Sequence, residues 1–136
     1  MNKHISKLLL VAISSTFFST AICAQHGKYV GGDISMLPQY EKHNSPYLDA
    51  NSQPIDDLIT WLIEECGWNT FRIRLFVDPY NPTDPCVCQD LEYVKQLGKR
   101  IKDAGAYFML DYHYSDSWVD ATHIQAPRAW KDCTVD

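Results

Sequence analysis

Residues 67–79 read GWNTFRIRLFVDP, and the fold turns on this stretch. From Thr70 to Val77 the side chains alternate. Phe71, Ile73, Leu75 and Val77 fall on one side, and Arg72, Arg74 and Phe76 on the other, which predicts a strand with one apolar and one charged face. Gly67 stops a helical pattern that precedes it: Ile55, Leu58, Ile59, Leu62, Ile63 and Cys66 recur at helical spacing, with Pro54 at the opening and Asp56 and Asp57 in the first turn. Downstream, Asp90 is the expected N-cap of a second helix whose stripe is Leu91, Val94, Leu97, Ile101 and Ala104, ended by Gly105. Tyr29 to Ser35 (YVGGDIS) and Tyr107 to His113 (YFMLDYH) supply two further strands.

Strands alternating with helices indicate an α/β fold built from βαβ units around a parallel sheet. A doubly wound nucleotide-binding sheet needs a glycine fingerprint after its first strand. Gly31 and Gly32 lie inside that strand, and no such fingerprint follows. The connections leading from strand to helix are long, and those returning from helix to strand are a glycine and a few residues. That asymmetry favours a (β/α)8 TIM barrel, which places its chemistry in the loops at the C-terminal strand ends. Such a barrel takes about 250 residues, so the expectation is that only about its first three β/α units are present.

Composition bounds the alternatives. The 136 residues are 46% hydrophobic and 21% charged, as in an ordinary globular protein. Twelve Lys and Arg against 17 Asp and Glu leave a net charge of −5, which speaks against a nucleic-acid surface. No apolar run reaches the roughly 18 residues of a stable membrane span. Residues 1–24 have the layout of a secretory signal peptide: Lys3 and Lys7, the apolar run from Leu8 to Ile13, Phe17 and Phe18, then Ala21-Ile22-Cys23-Ala24. Residues 25–136 are then the mature domain, secreted or periplasmic. It keeps Cys66, Cys86, Cys88 and Cys133, for which three disulfide pairings are open. A zinc site on Cys86 and Cys88 is disfavoured, because zinc pairs are usually separated by about two to four residues.

The charged strand faces would bring Asp33, Arg72, Arg74, Asp111 and His113 together near the barrel mouth. Charges on the inner side of a parallel sheet are costly unless paired, and functional sites are where such pairs are kept. An internal Asp–Arg network without a ligand is the competing account, strongest for Arg72. After the third strand comes YSDSWVD at 114–120, and Trp130 follows. Aromatic rings beside carboxylates and an arginine suit a sugar, although Trp118 and Trp130 could equally cap the core. Glu64, Glu65 and Glu92 read as solvated helix faces, and Glu41 as a loop residue.

The stretches YVGGDIS at 29–35, GWNTFRIRLFVDP at 67–79, LDYHYSDSWVD at 110–120 and QAPRAW at 125–130 together resemble glycoside hydrolase family 53, the arabinogalactan endo-β-1,4-galactanases. The resemblance implies a retaining (β/α)8 hydrolase that cuts the β-1,4-galactan of pectin. It implies a polysaccharide partner, no cofactor and no metal. Asp33, Arg74, Asp111, His113, Ser115, Asp116 and Trp118 match positions lining the family's substrate cleft. The family's acid/base and nucleophile are glutamates at the ends of strands four and seven. By that resemblance both lie beyond Asp136, leaving no catalytic residue in this chain, an N-terminal fragment inactive on its own. Ala121 stands where the family usually has proline, and Cys86-Val87-Cys88 falls outside its pattern. The rival readings are a non-catalytic carbohydrate-binding fragment and a carboxylate metal site on Asp33 and Asp111.

The basic start and apolar run predict export with cleavage near Cys23–Ala24. Mass spectrometry of the extracytoplasmic fraction should find a chain beginning at one of these residues. An intact Met1 in that fraction would overturn the reading.

Overall fold

The structure, a computed structural model, describes residues 27–134; the signal peptide expected over 1–24 lies outside them. Strand β2 (Thr70–Leu75) is the middle of a three-stranded sheet, flanked by β1 (Gly31–Asp33) and β3 (Tyr107–Tyr112), and both pairings are parallel. The expected alternation holds from Phe71 to Arg74: Phe71 and Ile73 are fully buried, while Arg72 and Arg74 keep partial access to solvent on the opposite face; the strand stops at Leu75, short of Val77, and Phe76 is buried. The register sets Asp33 beside Arg72 and Asp111 beside Arg74. One face of the sheet therefore collects the charges of all three strands.

The other face is covered by α1 (Leu37–Lys42), α2 (Leu58–Glu64) and α3 (Leu91–Asp103), whose Leu37, Ile59, Val94, Leu97 and Ile101 pack with Phe71 and Ile73 in one core. Helix α3 follows the sequence reading closely. The Asp90 carboxylate accepts from the Tyr93 amide at its start. At its end Gly105 takes φ +82°, the Ala106 amide donates to the Ile101 carbonyl and the Gly105 amide to that of Lys102. That pair of bonds is a Schellman cap, which needs a residue free to adopt the left-handed region. Leu91 departs from the expected stripe: it is 61% exposed.

Helix α2 is shorter than the apolar period suggests. Asp57 is its N-cap rather than a first-turn residue, accepting from the Ile59 amide and the Thr60 hydroxyl. Pro54 is drawn into a bridge with Leu48, and the Ile55 amide donates to the Tyr47 carbonyl, so this backbone is committed to a loop. Cys66 is exposed and takes no part in the core. Helix α1 was not legible, because Pro38 reads as a loop marker; in the first turn of a helix, however, a proline forfeits no intrahelical bond. Glu41 accordingly lies on this helix and not in a loop. Its carboxylate receives both terminal nitrogens of Arg100 at 2.8 Å, tying α1 to α3.

Strand β1 is also shorter than expected, because Asn69 and Thr70 both turn their amides to the Val30 carbonyl. The two strands approach so closely that a Cβ on Gly31 would lie 1.6 Å from the Thr70 carbonyl oxygen. No helix among the described residues is long and apolar enough to cross a membrane.

Truncating Phe71 to alanine should cost about 3–5 kcal/mol, read from the shift in urea midpoint at constant m-value. Gly31→Ala should separate β1 from β2. Amide exchange at Asn69 and Thr70, the donors to Val30, should then accelerate far more than exchange within α3; equal protection would show that the strands absorb the extra carbon.

Candidate functional site

Arg72 stands at the centre of the charged face. One terminal nitrogen donates to Asp33 Oδ2 at 2.6 Å, and the other is paired with Asp111 Oδ2. A single guanidinium thus answers one carboxylate from each flanking strand, with the forked geometry that suits arginine to the task. Arg74, two residues nearer the C-terminal end, reaches Asp33 Oδ1 at 3.0 Å. Its backbone amide and its Nε both donate to the hydroxyl oxygen of the fully buried Ser35, at 2.9 and 3.1 Å. Ser35 is held in turn through its carbonyl, which accepts from the Tyr93 hydroxyl at 2.7 Å and from the buried Gln89 amide at 3.3 Å. Burial pushes the Tyr93 hydroxyl well above its usual pKa, so it remains a donor.

At the strand ends an aromatic group closes over these charges. The Arg74 guanidinium lies 4.6 Å from the Trp118 ring centroid, and Phe76 and His113 meet the same indole edge-on at 5.4 and 5.9 Å. His113 Nε2 is 3.2 Å from Asp111 Oδ2, so that carboxylate is shared between His113 and Arg72. The other ring nitrogen, Nδ1, is buried and has no hydrogen-bond partner among the described residues. The Trp118 indole nitrogen donates to Asp84 Oδ2 at 2.6 Å. That hydrogen bond, seconded by the Cys86 amide, holds the Asp84 carboxyl below the usual range.

Ser115 and Asp116 have a different setting. Ser115 is buried, its carbonyl accepting from the Val77 amide and its hydroxyl from the Ser117 amide. Asp116 Oδ1 accepts from the Asp78 amide, while Oδ2 accepts from both the amide and Nε of Arg128. Arg128 also pairs with Asp78 at 2.7 Å and lies over the Tyr80 ring. Burial by itself would raise the Asp116 pKa; the hydrogen bonds from Arg128 and Asp78 outweigh it and leave the carboxyl below its ordinary value.

Of the residues singled out in the sequence, Asp33, Arg74, Asp111, His113 and Trp118 form one connected group. Ser115 and Asp116 stand beside it with their polar atoms turned to the protein, fastening the loops after β2 and β3 together. Trp130 lines a hollow with Leu75, Phe76, Leu91, Tyr112 and Tyr114, and its ring lies beside that of Tyr114. A metal held between Asp33 and Asp111 does not suit this donor set, because Arg72 already supplies the positive charge between them. Cys66, Cys86, Cys88 and Cys133 are free thiols, so none of the three open pairings is made. Burial, with Asp84 beside it, pushes the Cys86 thiol up and away from the thiolate that a metal would need. Sequence reasoning missed Ser35, Gln89 and Asp84. Ser35 lies two positions after Asp33, on the same side of an alternating strand, whereas Gln89 and Asp84 sit in a loop whose path no periodicity reveals.

A sequence model of Glycosyl hydrolase family 53 matches residues 29–136. A probable arabinogalactan endo-β-1,4-galactanase A of Neosartorya fischeri is 38% identical over 104 residues, 75% of this chain and 27% of its own length. The arabinogalactan endo-β-1,4-galactanase A of Aspergillus niger is 33% identical over 110 residues, 79% and 29% of the two lengths. Among solved structures, a family 53 catalytic domain of Ignisphaera aggregans superposes with a TM-score of 0.67 at 30% identity, over 76% of this chain and 29% of that one. The chain thus spans about a quarter to a third of the length of the proteins it matches.

The Asp116 pairing predicts an acid-sensitive loop junction. A carboxyl depressed on folding stabilises the folded state above its unfolded pKa of about 3.9, and that contribution fades as pH falls through the lower folded value. Replacing Asp116 by asparagine should therefore lower stability at neutral pH and flatten the acid limb of the stability profile. An unchanged slope below pH 4 would refute the assignment.

Proposed function

The chain belongs to glycosyl hydrolase family 53, and from that premise we propose that it supplies the first strands of a (β/α)8 barrel whose cleft binds and hydrolyses β-1,4-galactan. The observation that carries this reading is the placement of Trp118, Arg74, Asp33, Asp111 and His113 together at the C-terminal ends of parallel strands. A galactosyl ring has an apolar C–H patch suited to an indole and a fringe of hydroxyls suited to carboxylates and a guanidinium. Asp33, Arg74, Asp111, His113 and Trp118 are assigned to that binding, and Ser115 and Asp116 to holding the loop that carries Trp118. Export through residues 1–24 would deliver these residues to a polysaccharide outside the cell.

A retaining glycosidase uses two carboxyl groups about 5 to 5.5 Å apart, one protonated to release the leaving oxygen and one ionised to attack the sugar. Asp33 and Asp111 are both held in an ion pair with Arg72, which ties each carboxylate to the middle strand. Asp116 is engaged by Arg128 in the same way. We assign the acid/base and the nucleophile to none of these three residues, because each carboxylate is committed to an arginine of the protein and the family resemblance gives both roles to glutamates. The same ion pairs favour, for this stretch taken alone, a carbohydrate-binding role without catalysis.

Affinity electrophoresis in β-1,4-galactan, paired with a reducing-end assay and the A. niger relative as control, tests the reading. The chain should be retarded by galactan without releasing reducing ends, and Trp118→Ala should abolish the retardation. Release of reducing ends by this chain would promote Asp33 and Asp111 to catalysts, and no retardation would remove the sugar from the site.

A further inference from the structure

The Trp118 indole has a feature that sugar stacking alone does not call for. Its nitrogen, which on a ring 37% exposed could simply meet water, is committed to the Asp84 carboxylate at 2.6 Å. Asp84 is itself fixed. Its Oδ1 accepts from the Cys86 amide at 2.9 Å, its carbonyl from the Val87 amide, and its own amide donates to the Asn81 carbonyl. The indole is thus gripped at its polar edge by an anion anchored in the loop after β2, and across its face by Arg74, which Ser35 and Asp33 hold in place. Phe76 and His113 bracket it edge-on. A partly exposed tryptophan in a loop otherwise has two free side-chain torsions, and each such freedom must be lost on binding a ligand.

We propose that Asp84 is a positioning residue: its carboxylate holds the Trp118 indole against Arg74, so that Trp118 meets a galactosyl unit with its ring alone and not with its nitrogen. This rests on the sugar-binding reading above and adds how the site discriminates. With the indole N–H already taken, a hydroxyl directed at that edge finds no donor. The exposed part of the ring rewards only an apolar C–H face. The charge-assisted bond is stronger than one between neutral partners, so the ring is preorganised before any ligand arrives.

The test uses the full chain with Asp84→Ala and Asp84→Asn, and Trp118→Phe to identify the Trp118 indole signal in 15N-correlated NMR spectra. In the parent this indole signal should shift with pH as Asp84 titrates, below the usual carboxylate range. It should move to the position of a water-exposed indole in Asp84→Ala and stay close to the parent in Asp84→Asn, which keeps an acceptor oxygen. Fluorescence titration with β-1,4-galactotriose should show affinity falling about tenfold in Asp84→Ala and much less in Asp84→Asn. An indole signal unmoved in Asp84→Ala would overturn the proposal, as would a displaced indole with unchanged galactotriose affinity. Should Asp84→Ala fail to fold, Asp84→Asn decides, because loss of the pH-dependent indole shift with folding intact is required there. A parent that ignores galactotriose would defeat the sugar-binding reading instead, and the proposed discrimination with it; the indole shift would then report only whether Asp84 orients the ring.

Discussion

One guanidinium holds the charged face together. Arg72, on the middle strand, is paired with Asp33 on one neighbour and Asp111 on the other, so the polar side of the sheet is knit by the same strand whose opposite side anchors the core. Without that cation two carboxylates would face each other across a strand, close to the low-dielectric body of the protein, where like charges are costly. Everything nearer the rim depends on this arrangement. Asp33 gives one oxygen to Arg72 and the other to Arg74, whereas Asp111 Oδ2 is shared between Arg72 and His113.

Outward from that pair the site is assembled in successive contacts. Ser35 orients Arg74, Arg74 lies on Trp118, and Asp84 receives the indole nitrogen. The loops carrying these residues are joined by Asp116, whose carboxylate collects amides from both sides and the Arg128 guanidinium. A loop-borne aromatic ring is useful for recognition only if its orientation is settled beforehand, since ordering it on binding subtracts from affinity. The polar groups around Trp118 settle it with neighbours fixed by the fold. The concentration of these residues at the C-terminal strand ends follows the general placement of chemistry on parallel β/α architectures.

Much of this was legible in the chain itself. The period of two in TFRIRLFV identified the central strand and which of its residues face the core, because a strand must alternate and one face must be buried. The stripe Val94, Leu97 and Ile101, bounded by Asp90 and Gly105, fixed α3 nearly to the residue, because caps and apolar spacing act locally. The inward grouping of Asp33, Arg72, Arg74, Asp111 and His113 follows from the same alternation. The misreadings also have a physical cause. Pro54 and Asp57 suited two local solutions, and a bridge from Pro54 back to Leu48, outside the helical spacing, chose between them. Pro38 disguised α1, a short helix that depends on burying Leu37 against residues distant in sequence.

What the sequence determined by itself, then, is the set of elements whose signals are local: alternation, helical spacing and caps, and with them the face on which each charged residue lies. Only the tertiary structure decided who is paired with whom. It gave both Asp33 and Asp111 to Arg72, turned Asp116 inward as a loop fastening, and set Asp84 against the indole. Those contacts join residues some 12 to 39 positions apart. Their geometry is set by strand register and loop path, and neither is encoded in the spacing of any single segment.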